Sequence, residues 1–403
     1  MTREVGGRWS MLGWICLAEL AGFSPWFSAT AALPRMPIDW ATAATPAWLS
    51  MAVTLGFVAG TTASAATTLA DVLGARRLFA LSALAAALAN AVLLVRPEHP
   101  EVVLASRFVT GVALAGVYPP AMKLAASWFV EARGLAVAAL VGAQTLGAAV
   151  PHLLDYAGGL DWRVVVAGTS IAPAAAALLA LGVLRDGPHL APRARFDPRQ
   201  TAALVRDPAV RLVTLGYFGH MWELYAMWTW IGTYVAEAFT RAGLAGGPGL
   251  AALATAAVFG AGGAGCLAAG LLGDRIGRTA TTILAMASSG ACALAVGALF
   301  DRPAFLVPLV LFWGLAVVAD SAQFSAALSE LAPRGYVGTV LSLQTASGFL
   351  LAVVSIRVVP EAASAWGWPW AFALLAPGPF LGSLAMWRLR RRPESLALAG
   401  GRR

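Results

Sequence analysis

The sequence predicts an all-α polytopic membrane protein, with twelve transmembrane helices in two pseudo-symmetric six-helix bundles. Three observations carry this reading. The 403-residue chain is 59% hydrophobic and only 12% charged, whereas soluble domains carry roughly 25% charged residues. Twelve runs reach the length of about 20 mainly apolar residues that a spanning helix requires. The third observation is an internal echo. Ala70-Asp71-Val72-Leu73-Gly74-Ala75-Arg76-Arg77 returns roughly 203 residues later as Gly273-Asp274-Arg275-Ile276-Gly277-Arg278. Each copy lies between two apolar runs, so one six-span design is written twice, and repeats of this kind build transporters around their shared interface.

The first run, roughly 9–33, follows Arg3 and Arg8 and contains Glu19 and Pro25. It is too long for a signal peptide, is interrupted by Glu19 and lacks a clear small-residue cleavage site, so it reads as a retained span. Runs near 46–70 and 78–96 flank the first copy of the loop. The fourth, near 102–126, carries Arg107, Pro119-Pro120 and Lys123; the fifth, near 134–157, carries Gln144 and Pro151; the sixth, near 162–184, carries Pro173. A polar stretch, 185–209, follows. In it Asp197-Pro198-Arg199-Gln200 offers an N-cap, a first-turn proline and a capping-box glutamine, so a short linker helix and a solvated connector both stand as readings.

Asp207-Pro208 repeats the start signal before the seventh run, near 210–236, which holds His220 and Glu223. The eighth, near 249–272, has Gly260, Gly262, Gly263 and Gly265, small residues that permit close helix packing. The ninth to twelfth lie near 279–300, 304–330, 336–359 and 368–389, the last with Pro377. The prolines inside these runs each remove a backbone hydrogen bond and permit bending. Residues 1–184 and 210–392 are thus the two halves, 185–209 the linker and 393–403 a tail.

Charge placement gives the orientation. With the N-terminus inside, the outer segments hold only Arg35, Arg96, Arg163, Arg241 and Arg302, and the inner segments hold nearly all other arginines. Both termini and the linker are therefore expected in the cytoplasm, with the chain in a bacterial inner membrane. The net charge of +8 would suggest nucleic acid only if the basic residues formed one solvent face, and they are dispersed between apolar runs instead. Cys16, Cys266 and Cys292 all lie inside apolar runs without metal-ligand spacing. No disulfide framework, zinc site or cofactor is implied.

Internal charges mark the candidate site, because a charge at the bilayer centre costs about 2.5 to 3.5 kcal/mol. Glu19 and Glu223 occupy equivalent places in the first and seventh runs, each followed seven residues on by a tryptophan, Trp26 or Trp230. Two readings stand for each: proton carriage from the shared cavity, or hydrogen bonding that fixes helix packing. His220, Glu223 and Met227 share one helical face, with Tyr225 and Trp230 in the same segment; a His-Glu pair three residues apart can relay a proton or bind a polar ligand. The His-x-x-x-His spacing of a zinc site is missing. Asp320 and Gln323 lie in a polar stretch of the tenth run, and Gln144 and Gln344 occupy equivalent places in the fifth and eleventh. Paired amides supply donors and acceptors without a charge penalty. Arg357 and Lys123 either neutralise an anion or carboxylate in the cavity or snorkel to an interface.

In the echoed loop, Asp71 and Asp274 can pair with Arg76, Arg77 or Arg278, while Gly74 and Gly277 permit the tight turn. Such a pairing is either a latch that holds one conformation or a plain positive-inside turn. With Gly270-Leu271-Leu272-Gly273-Asp274-Arg275-Ile276-Gly277-Arg278 written out, the chain resembles the major facilitator superfamily over essentially its whole length. In the first copy Thr67 and Val72 stand where that family's motif has Gly and Arg. Arg107-Phe108-Val109-Thr110-Gly111 matches a fourth-span Arg-x-x-x-Gly pattern. The resemblance implies a proton-coupling role for Arg107, and snorkelling to the outer interface is the competing reading. The fifth-span motif of drug/proton antiporters and the arginines of the nitrate/nitrite group are both absent.

The resulting expectation is a proton-coupled secondary transporter working by alternating access, with a small organic or inorganic anion favoured as substrate. Efflux of an amphipathic drug or cation is the alternative, and a non-transporting membrane receptor a further one. Its partners would be the solute, protons and the lipid bilayer, without nucleic acid, and the chain would act as a monomer. A membrane enzyme is not indicated, because His99, His152, His189 and His220 are too scattered to form a catalytic constellation.

Overall fold

The computed structural model describes residues 2–67, 69–129, 132–158, 161–189, 206–333 and 336–402, without the side chains of 2–6, 70, 71, 133, 338 and 339. The linker helix anticipated at Asp197-Pro198 and the side chain of Asp71 lie outside these described residues. Helices dominate, and no strand occurs among the described residues. The first half comprises α1 (Thr2–Phe23), α2 (Thr45–Thr67), α3 (Ala75–Ala91), α4 (Pro100–Leu114 and Tyr118–Trp128), α5 (Arg133–Ala157) and α6 (Trp162–Gly182). The second comprises α7 (Pro208–Arg241), α8 (Gly247–Ile276), α9 (Arg278–Ala295), α10 (Pro303–Ala319 and Ser321–Leu331), α11 (Val337–Trp366) and α12 (Pro377–Arg390).

Among the described residues, ten helices are long and apolar enough to cross a membrane. The two remaining columns are α1 and α7. They carry the internal carboxylates Glu19 and Glu223, and α7 adds His220 and a run of tryptophan and tyrosine. The least apolar columns are thus the ones expected to line the axis between the halves.

The first column is not one continuous helix over 9–33. It ends at Phe23, turns through 24–27 around Pro25 and resumes as Ser28–Ala32. A broken backbone at membrane depth must find partners inside the protein. Arg107 supplies them: Nη2 donates to the carbonyls of Pro25 and Trp26, each at 2.8 Å. Its Nη1 donates to Asn90 Oδ1 at 2.9 Å. Asn90 Nδ2 then donates to Ser170 Oγ at 2.9 Å and Thr169 Oγ1 at 3.1 Å, and Thr169 reaches Ser28 Oγ at 2.7 Å. Arg107 is 1% exposed. It braces the α1 break and does not snorkel.

Glycine sets the helix crossings within each half. A Cβ on Gly56 or Gly111 would strike the carbonyl of Phe108 or Val53, so α2 and α4 touch backbone to backbone. Gly265 and Gly314 stand in the same way against the carbonyls of Leu315 and Val258, between α8 and α10. Between the halves, α5 packs along α8 and α2 along α11, and a Cβ on Gly142 would stand 3.1 Å from the Gly263 carbonyl.

The echoed loops share their turn geometry. Gly74 has φ +80° and Gly277 φ +94°, each with extended ψ, just before the next helix begins. That region is nearly closed to other residues and costs them about 1 to 3 kcal/mol. Gly277→Ala should therefore lower the thermal unfolding temperature of purified protein. Asn90→Ala strands one guanidinium nitrogen and should cost about 2 to 3 kcal/mol; an unfolding transition within a degree of the parent's would contradict the bracing role of Asn90.

Candidate functional site

α7 begins at the cap read from the sequence. Asp207 Oδ1 accepts from the backbone N–H of Ala209 at 2.8 Å and Val210 at 3.0 Å, with Pro208 in the first turn. Four turns along, Glu223 is 2% exposed and both its oxygens are held. Ser289 on α9 donates to Oε2 at 2.7 Å, and Trp313 on α10 donates its Nε1–H to Oε1 at 2.8 Å. One turn back, His220 Nδ1 stands 2.8 Å from Asp320 Oδ1, and its Nε2 lies 2.8 Å from Ser321 Oγ. The approach to Oδ1 is close but not aligned as a hydrogen bond. Asp320 occupies the break between the two segments of α10.

The partner carboxylate is in the opposite condition. Glu19 is wholly buried, and neither oxygen has a hydrogen-bond partner. The repeat explains the contrast. At the offset relating Asp71 to Asp274, Ser289 and Trp313 fall opposite Ala86 and Thr110; alanine has no donor, and the Thr110 hydroxyl is turned to the Ser106 carbonyl at 2.7 Å.

An aromatic band bridges the halves on the side of these carboxylates away from the chain termini. Trp26 of the first half meets Tyr225 and Phe349 of the second, with ring centroids 5.3 and 5.8 Å apart, and Phe57 meets Phe349 at 4.7 Å. Tyr225 also touches Trp228 at 5.4 Å, and Phe27 touches Phe259 at 5.6 Å. Buried polar atoms without a hydrogen-bond partner include the Glu19 carboxylate, Asp320 Oδ1, Gln344 Nε2 and, within the aromatic band, Trp26 Nε1 and Trp228 Nε1. Buried polar groups are nearly always paired, so each such exception is a place for a ligand group or water. Gln144 is buried as well.

Several sequence candidates lie elsewhere. Arg107 is committed to the α1 break, walled off by Asn90. Arg357 is half-exposed and pairs with Glu361 one turn along α11, so it is a surface arginine and not a charge partner of the cavity. Trp230 is buried, but its Nε1–H is spent on the Ile356 carbonyl at 3.0 Å. Gln323 belongs to the loop cluster: its Oε1 accepts from Arg278 Nη1 at 3.1 Å and its Nε2 donates to the Ala269 carbonyl. Lys123 is half-buried on the second segment of α4.

That loop cluster sits at the face carrying the chain termini. Arg278, 5% exposed, contacts Asp274 Oδ1 at 3.2 Å and Glu330 Oε1 at 3.1 Å. A Cβ on Gly134 of α5 would stand 3.1 Å from Asp274 Oδ1 and 3.2 Å from each terminal nitrogen of Arg278, so the other half abuts the cluster directly. In the first copy Arg76 donates to the Leu184 carbonyl at 3.2 Å, whereas Arg77 lies exposed beside an apolar groove between α3 and α6.

Sequence reasoning missed Ser289, Trp313, Asn90 and Glu330. Only the repeat could have flagged two of them, since Ser289 and Trp313 stand opposite residues of different chemistry. Among the described residues, no group of three or more His, Cys, Asp and Glu is placed to hold a metal ion.

The arrangement has counterparts among known proteins. The fold matches a proton:xylose symporter, XylE, solved with 6-bromo-6-deoxy-D-glucose, at a TM-score of 0.71 and 15% identity, covering 94% of this chain and 96% of that one. It also matches the human organic anion transporter MFSD10 (TETRAN) at 0.69 and 17% identity, covering 94% and 98%. No curated protein sequence matches the chain. The family model of the Major Facilitator Superfamily matches residues 15–356. With that match, the two six-helix halves and the echoed loop, the chain belongs to the Major Facilitator Superfamily of membrane transporters.

Proposed function

We propose that this protein is a proton-coupled secondary transporter that moves its solute through the seam between the halves by alternating access. The observation that carries the reading is a pair of buried carboxylates at repeat-related places, one of them, Glu19, with no hydrogen-bond partner at either oxygen. Glu19 and Glu223, with Asp320 and His220 adjoining, form a set of groups able to take up and release protons without leaving the protein. The face carrying the termini is the cytoplasmic one, on the arginine asymmetry, and the chain acts as a monomer in a bacterial inner membrane.

The substrate reading shifts from the one favoured by sequence. The anion expectation rests on internal cations beside the paired glutamines Gln144 and Gln344, and of those cations Arg107 and Arg357 are engaged away from the seam. Beside the amides Gln144 and Gln344 and the His220 imidazole, the buried groups are carboxylates and aromatic rings: Glu19, Glu223 and Asp320, with Trp26, Tyr225, Trp228 and Phe349. Such walls suit an amphipathic, positively charged or weakly basic organic solute, held by its charge and by cation-π contact worth about 0.5 to 2 kcal/mol. Export in exchange for protons follows, because cation and protons then compete for the same carboxylates.

In proteoliposomes with an imposed pH gradient, Glu19→Gln and Glu223→Gln should each reduce solute movement by about tenfold or more, as loss of a single charged contact does. Undiminished pH-driven flux in both variants would remove proton carriage from these residues. Thermal-shift screening against organic cations and organic anions tests the substrate class, since only a bound ligand stabilises the fold. Stabilisation by anions alone would return the assignment to the anion reading. Trp313→Phe keeps an aromatic side chain but deletes the donor to Glu223 Oε1; a drop in turnover of about five- to thirtyfold, about 1 to 2 kcal/mol, is expected.

A further inference from the structure

The chain beyond α12 folds back onto the protein. Residues Pro393–Gly401 form a compact, turn-rich segment in which Ser395 and Leu398 are wholly buried. Ser395 Oγ donates to the Arg392 carbonyl at 2.7 Å and the Arg390 carbonyl at 3.2 Å, closing the end of α12. Arg392 pairs with Glu394 at 3.0 Å. Ala399 then takes φ +47°, a conformation that alanine rarely adopts, and Gly400 and Gly401 follow at +66° and +93°. This backbone directs the Ala399 N–H to Glu330 Oε2 at 2.9 Å, while Arg402 donates to the Asp274 carbonyl.

Glu330 is thereby engaged at both oxygens, by the tail on one side and by Arg278 on the other. Arg278 also reaches Asp274 and Gln323, and it is Asp274 and Arg278 that α5 meets at Gly134. We propose that the C-terminal tail is a strap on the α8–α9 loop, which steadies Arg278 against α5 and must be released before α5 and α8 part on that face. Alanine held in a left-handed conformation at the point of contact marks the strap as a poised element rather than a relaxed end. The proposal rests on the alternating-access reading for its consequence and is independent of substrate.

Cys266 provides the readout. It lies on α8 about two turns inward of Asp274 and is 1% exposed, so its alkylation by a water-soluble maleimide reports opening on the terminal face. In a Cys16→Ser, Cys292→Ser background, removal of residues 393–403 should raise the alkylation rate about tenfold. Ala399→Pro, which deletes the N–H and forbids positive φ, should do the same with the tail still present. Ala399→Gly, which accepts the left-handed backbone without strain, should lower the rate. An unchanged rate in the proline variant overturns the strap. So does an equal rise at Cys292, measured with Cys16 and Cys266 replaced by serine, because that signals general loosening. Neither readout depends on solute or pH gradient, so failure here and failure of the transport reading are separately visible.

Discussion

No water waits inside a bilayer to rescue a polar group that has lost its partner, and the architecture of this protein follows from that constraint. The backbone may break in the first column only because Arg107 gathers the freed carbonyls of Pro25 and Trp26. Arg107 may be buried only because Asn90 takes its remaining nitrogen, and Asn90 is itself tied to Thr169 and Ser170 on α6. A chain of obligations thus runs from α1 through α3 and α4 to α6. With the outer end of α1 fixed by this network, Trp26 is presented to Tyr225 and Phe349 across the seam.

The same constraint sets polar groups that are satisfied apart from polar groups that are not. Glu223 is satisfied by Ser289 and Trp313, whereas Glu19 is buried with both oxygens unpartnered. Two carboxylates placed equivalently by duplication therefore stand in different chemical settings. The difference arises from neighbours on α3, α4, α9 and α10 and owes nothing to the residues adjoining either glutamate in sequence.

The fold was legible because spans and turns write their requirements locally. Ten apolar columns, the Asp207-Pro208 cap and the glycines at 74 and 277 are each a matter of a few consecutive residues. The site was legible only in outline. Glu19, Glu223, His220 and Asp320 stand out as polar or charged residues in apolar runs, and the structure sets His220, one turn from Glu223, against Asp320. Ser289 and Trp313 look like ordinary span residues until three helices converge on one carboxylate. Depth along a helix also says nothing of its rotation: Arg107 and Arg357 both lie near the outer ends of spans, yet one is sealed in the protein and the other faces outward. Gln323 shows the same limit, since its position in a polar stretch does not reveal that it turns toward Arg278.

The glycine crossings carry a mechanical consequence. Where α2 meets α4 and α8 meets α10, main chain rests on main chain, with a carbonyl standing where any side chain would begin. Such joints resist sliding or rolling, because no flexible side chain is available to yield. Each half is thereby stiffened into a lever, and compliance is left to the surfaces between levers, where α5 runs along α8 and α2 along α11. A displacement of an ångström or two at the buried carboxylates would then be delivered at the membrane faces enlarged by leverage rather than absorbed on the way.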